Sequence, residues 1–180
     1  MSKALIIVDM QNDFLLSEGS LNLGHDTKKL RENIADLVKT FEGPLYFTAD
    51  RHNNDDCEFE TFPKHCLDLT QGCKLVSEII EALKGKTNCF FLRKKSFTGE
   101  EITDLANELA RKKIKEIHVV GVCTHICVHD VIATLVNQTK DTHNYIPQIF
   151  IHGELIDDFD QEMANFSLKR MQKIYGVKII

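Results

Sequence analysis

Tryptophan is absent from this 180-residue sequence, proline occurs three times and glycine nine, and no repeat, low-complexity tract or linker-like segment interrupts it. That composition is expected of one soluble globular domain spanning residues 1–180. Positive charge is also in short supply. Lys and Arg number 22 against 27 Asp and Glu, the formal net charge is −5, and no basic block exceeds Arg111-Lys112-Lys113. Generic nucleic-acid binding is thereby disfavoured. Long apolar runs are missing at the start, where only Ala4–Val8 precede Asp9. Such a run is too short for a signal-peptide core or a bilayer span, so no membrane partner and a cytoplasmic location are expected. The six cysteines, Cys57, Cys66, Cys73, Cys89, Cys123 and Cys127, are then expected as reduced thiols rather than a disulfide framework.

Short β-branched and aromatic runs recur at 4–8, 45–48, 88–92, 117–122, 148–151 and 177–180. Each is a near-continuous apolar run, the pattern of a buried parallel strand. Helical stripes lie between them: Leu30, Ile34, Leu37, Val38, Phe41; Leu75, Ile79, Leu83; Ile102, Leu105, Ala106, Leu109; Val128, Val131, Ile132, Leu135; and Met163, Phe166, Arg170, Ile174 before Gly176. This alternation predicts an α/β three-layer sandwich, a mostly parallel six-stranded sheet with helices on both faces.

The interval from about 50 to 71 breaks the alternation. It lacks a helical or strand period but is dense in His, Asp, Glu, Cys and aromatic residues. A long loop after a parallel strand reads as functional, because such sheets place ligands at their carboxyl ends. Asp50, His52 and His65 form a donor set suited to Zn²⁺, Fe²⁺ or Mn²⁺, with Glu58 and Glu60 each able to complete the shell from one side of an extended segment. Three strand ends carry reactive types: Asp9, Lys94 and Cys127. Brought together, they could supply a nucleophile, its base and an electrostatic partner. A helix N-terminus and a neighbouring ammonium would favour the Cys127 thiolate. Each residue also has an ordinary reading, as a turn carboxylate, a solvated lysine or a core cysteine. Cys123-x-x-x-Cys127 lacks the second pair of a structural zinc site.

Several stretches resemble one family. Ala4-Leu5-Ile6-Ile7-Val8-Asp9-Met10-Gln11-Asn12-Asp13-Phe14 is similar to the first strand and Asp-x-Gln-x-x-Phe motif of the isochorismatase-like cysteine hydrolases. Gly121-Val122-Cys123-Thr124-His125-Ile126-Cys127-Val128 resembles their nucleophile motif, and Lys94-Lys95-Ser96-Phe97-Thr98-Gly99 the stretch with the catalytic lysine. Thr48-Ala49-Asp50-Arg51-His52 and Phe62-Pro63-Lys64-His65-Cys66 resemble the metal loop of the nicotinamidase and pyrazinamidase branch. The resemblance spans roughly residues 4 to 140. The chain departs from the family's usual pattern at His125 for Asp, Cys123 for Ala, Phe62 for Trp and Glu100 for an aromatic, which bears on substrate range more than on reaction type.

The resemblance implies hydrolysis of nicotinamide to nicotinate and ammonia through a cysteine thioester, a step of NAD salvage, with another amidohydrolase of the family or a non-enzymatic metal or thiol protein on the same fold as alternatives. Asp9 would be the general base, Cys127 the nucleophile and Lys94 their electrostatic partner. The backbone N–H groups of Cys123 and Cys127 would form the oxyanion hole, the former aimed by a cis peptide after Val122. One divalent metal, zinc first with iron or manganese as alternatives, would be held by Asp50, His52, His65 and Glu58. Phe14, Phe62, Phe97 and Ile126 would wall the substrate ring. A homo-oligomer is expected by the same resemblance.

Overall fold

The computed structural model describes residues 2–180. Six strands, β1 (Lys3–Val8), β2 (Leu45–Asp50), β3 (Cys89–Lys94), β4 (Glu116–Val122), β5 (Gln148–Asp157) and β6 (Lys178–Ile179), form one sheet in the order β3-β2-β1-β4-β5-β6. Every pairing is parallel, so "mostly parallel" becomes wholly parallel. The strand order reverses between β1 and β4, and a crevice opens at the carboxyl ends of such a switch point.

The helices are α1 (Asn12–Leu15), α2 (Lys28–Thr40), α3 (Ser77–Ala82), α4 (Gly99–Arg111), α5 (His129–His143) and α6 (Gln161–Tyr175). Strand side chains alternate between faces. Leu5, Ile7, Leu45, Phe47, Val120 and Val122 therefore meet α1–α3, whereas Ala4, Ile6, Val8, Tyr46, Ile117 and Val119 meet α4–α6. Burying each Ile, Leu or Phe contributes roughly 1.5–3 kcal/mol, which makes the two-sided central strands the main source of stability.

Three expectations change. β3 is an edge strand, and its Phe90 and Phe91 remain exposed while stacking on cross-strand Tyr46 and Phe47 at 5.1 and 5.4 Å. β5 runs on to Asp157 past a register shift opposite Val119/Gly121. In α6 the apolar stripe faces outward: Met163, Phe166 and Ile174 are 45%, 64% and 61% exposed, while Ala164, Ser167 and Met171 are buried. Small side chains on the inner face let the helix lie close to its neighbours, and that contact decides its rotation. All six cysteines are free. Among the described residues no helix is long and apolar enough to cross a membrane.

Candidate active site

Asp9 ends β1 with a left-handed backbone, φ 50°. Its N–H donates to Thr48 Oγ1 at 3.2 Å, and that hydroxyl donates back to Asp9 Oδ1 at 2.6 Å. Gly121 allows β4 to approach, because a Cβ there would collide with the Val8 backbone and its φ of 116° disfavours any other residue. Two residues after Asp9, Gln11 clamps β2. Its Oε1 accepts from Asp50 N at 2.7 Å, and its Nε2 donates to the Asp50 and Cys73 carbonyls, each at 2.9 Å.

These supports converge on Lys94, whose Nζ lies 2.8 Å from Asp9 Oδ2, 2.5 Å from Asp50 Oδ1 and 3.5 Å from Cys127 Sγ. All four residues are buried. Burial alone would discharge Lys94, but Asp9, Cys127 and Asp50 outweigh it and hold its pKa well above the usual value. Burial raises the Asp9 pKa against the pull of Lys94, whereas at Asp50 the nearby Lys94 and His52 overcome burial and lower it. Burial also pushes the Cys127 thiol well up, with Lys94 only partly opposing. Cys127 sits in a π-helical turn (Thr124–Val128) ahead of α5, where desolvation of a thiolate opposes the help from Lys94. The Val122–Cys123 peptide is cis, as the resemblance implied.

The loop after β2 is ordered. His52 N donates to the Cys66 carbonyl at 3.1 Å, Asp68 N to the His52 carbonyl at 3.0 Å, and Cys66 N to Asp13 Oδ2 at 2.6 Å. Within it Cys57–Glu60 form a 3-10 turn capped by Asp56, which accepts from Glu58 N at 3.0 Å. The expected extended segment is thus replaced by a turn that separates the two glutamates. Glu58 Oε1 lies 3.6 Å from His65 Nε2, while Glu60 is exposed.

Donor atoms of Asp50, His52 and His65 lie within 4.8 Å of one another. Each imidazole is oriented through its other nitrogen: His52 Nδ1 lies 3.0 Å from Asp56 Oδ2, and His65 Nδ1 2.8 Å from the Pro63 carbonyl. That leaves His52 Nε2 buried without a partner, facing Asp50 Oδ2 at 3.9 Å, with His65 Nε2 4.0 Å from the same oxygen. Burial opposes charge on His52, but Asp50 and Asp56 push its pKa up to about 9. An orphaned imidazole nitrogen among carboxylates fits a divalent cation, and the outer hydrogen bonds are of the kind that orient metal-bound histidines. Asp9, Asp50 and Cys127 also converge within 4.8 Å, but the Lys94 ammonium already lies among them.

A pocket of about 390 Å³, mouth included, opens above these groups. Asp9, Asp50, Glu58, His65, Cys123 and Cys127 supply its reactive lining, and Phe14, Phe62, Phe97 and Ile126 its apolar walls. His52 and Lys94 are buried behind it.

The isochorismatase-domain family profile matches residues 3–179. The chain belongs to the isochorismatase family. The crystal structure of a nicotinamidase/pyrazinamidase from Bacillus subtilis superposes with a TM-score of 0.85 at 27% identity over 99% of each chain. Nicotinamidase 1 of Arabidopsis thaliana is 34% identical over 151 residues, which cover 74% of this chain and 59% of that protein. A Pyrococcus horikoshii pyrazinamidase in complex with zinc shares the fold, with a TM-score of 0.83 at 22% identity over 100% of this chain and 99% of that one. In this isochorismatase-family hydrolase the sequence assigns no role to Leu21 and Phe159, which line the pocket, or to the supporting Gln11, Thr48 and Asp56. The apolar run of β5 ends at Ile151 in the sequence, whereas the strand continues to Asp157, so the strand-end rule does not point to Phe159.

Proposed function

We propose that the protein is a nicotinamidase, hydrolysing nicotinamide to nicotinate and ammonia. The observation that carries this reading is the sharing of Asp50. One oxygen meets Lys94 beside Cys127, and the other faces His52 and His65. A substrate filling the pocket must present a carbonyl to the thiol and a metal-binding atom a few bonds away, on a body thin enough for aromatic walls. A pyridine carboxamide has that form. The nicotinamidases among the relatives support the same choice.

Asp50, His52, His65 and Glu58 would hold the ion, zinc before iron or manganese; when bound, it supplies a Lewis-acidic partner for the pyridine nitrogen and so fixes the ring. Asp9, its basicity raised by burial, takes the Cys127 proton. The sulfur attacks the carboxamide carbon, and the resulting oxyanion is held by the Cys123 and Cys127 N–H groups. Asp9 returns the proton to the nitrogen, the C–N bond breaks and ammonia leaves. Water, deprotonated by Asp9, then attacks the thioester, nicotinate departs and Cys127 is regenerated. Lys94 keeps its charge throughout and stabilises the anionic forms of Asp9 and Cys127.

Cys127→Ala is expected to lower ammonia release by roughly 10⁴-fold or more, whereas Cys123→Ala, altering a side chain but not the backbone donor, retains most of it. Hydroxylamine added during turnover should yield nicotinohydroxamate only when Cys127 is present. The reverse ranking of the two variants, or hydroxamate from Cys127→Ala, contradicts the assignment.

A further inference from the structure

We infer that Phe159 is a specificity-determining wall of the pocket, held across its mouth by Asp158 and His125, and that it favours flat aromatic carboxamides over acyclic ones. The inference takes its substrate class from the amide-hydrolase reading above.

Phe159 lines the pocket although the residue is 47% exposed. It lies in the three-residue link, 158–160, between β5 and α6. That link is pinned to the turn carrying the nucleophile. Asp158 is fully buried; its Oδ2 accepts from His125 N at 2.8 Å and lies 2.6 Å from His125 Nδ1, and its Oδ1 accepts from Asp160 N at 3.1 Å. Thr124 Oγ1 donates to the Asp157 carbonyl at 3.1 Å, and Gln161 Nε2 to the Asp158 carbonyl at 2.9 Å. The His125 ring meets Phe159 edge-on, centroids 5.3 Å apart and planes at 73°. His125 is two residues before Cys127, so the ring of Phe159 and the thiol are referenced to one rigid turn.

A buried carboxylate is costly unless its partners are well placed, and here each partner belongs either to the nucleophile turn or to the link that presents Phe159. An aspartate at position 125 would set a second carboxylate against Asp158; the histidine makes an attractive contact instead and adds an edge for Phe159. The other apolar lining residues include Phe14, Phe62, Phe97 and Ile126. A planar ring entering between them gains offset or edge-on aromatic contact and covers exposed apolar area, neither of which a short branched amide obtains to the same degree.

The test uses metal-loaded protein, with benzamide as a probe that has no ring nitrogen. Calorimetric Kd values in the Cys127→Ala background and kcat and KM values with Cys127 intact are compared for Phe159, Phe159→Ala and Phe159→Tyr. Phe166→Ala on the outward face of α6 serves as a neighbouring control. Phe159→Ala should raise the benzamide Kd and the nicotinamide KM about 10-fold with kcat within about twofold. Phe159→Tyr should restore both, and the isobutyramide Kd should be unchanged. His125→Asp, which keeps Phe159 but breaks its anchor, should shift the constants in the same direction. An unchanged benzamide Kd in Phe159→Ala, an equal weakening of isobutyramide, or failure to bind either aromatic amide overturns the inference. Phe159-dependent benzamide binding without ammonia release from nicotinamide would retain it while rejecting the nicotinamidase reading.

Discussion

Lys94 carries the largest electrostatic load of any residue in the site, since its ammonium lies against two buried carboxylates and a buried thiol. Replacing it by Met leaves Asp9 and Asp50 without a cation in a water-poor environment, a change that costs about 3–5 kcal/mol. Lys94→Met is therefore expected to lose activity and to shift the urea midpoint of the metal-loaded protein downward; an unchanged midpoint contradicts this role. Asp9, Lys94 and Cys127 were legible in the sequence because each follows a short apolar run, and strand ends converge at a switch point. Asp56 and Phe159 were not, since one acts through His52 and the other depends on where a link between two elements folds back. Around Cys127 the sequence reveals a helix start and a neighbouring lysine, but not the burial that opposes both.

At the scale of elements, the 3-10 turn at Cys57–Glu60 brings Glu58, and not the exposed Glu60, to His65, a distinction that an extended segment would not make. Glu58→Gln is expected to weaken zinc binding by about 10-fold or more, whereas Glu60→Gln matches the parent, as read by competition with a chromophoric chelator. Equal losses would mean that the turn does not select the ligand. The loop stands out in the sequence by its density of His, Cys and aromatic residues, but its internal turn has no sequence period, because Asp56 capping and the Asp13–Cys66 tie support it. The helix α6 shows the opposite case. Its sequence period was clear and its rotation was not, because close packing against neighbours, rather than apolar content, chose the Ala164–Ser167–Met171 face.

On the scale of the molecule, the alternation of apolar runs and helical stripes was sufficient for the layers, and edge position was what it could not supply, since β3 reads like a buried strand yet lies at the rim. The sheet also carries a titrating pair remote from the site: His118 Nδ1 lies 2.9 Å from His152 Nε2 on the neighbouring strand. Burial lowers the pKa of both, with Lys3 adding to the effect at His118 against Glu116, and His118 adding to it at His152. The unfolded chain therefore binds more protons here, and stability present above the ordinary histidine value near 6.5 is lost as pH falls toward the lowered folded values. His25, raised mainly by its Asp157 hydrogen bond, works in the opposite sense, but its side chain is 42% exposed and solvent screens the pair. Unfolding free energies from pH 7.5 to 5 should fall more steeply for the parent than for the His118→Gln/His152→Gln variant; parallel curves contradict this. The joint action of the thiol site and the metal-ready loop is tested most directly by ammonia release from nicotinamide, measured on protein loaded with zinc, stripped by chelator and reloaded. A nicotinamidase built this way releases one ammonia per nicotinate when loaded, loses turnover when stripped and recovers it on reloading. No ammonia from the loaded protein, or turnover indifferent to the metal, contradicts it.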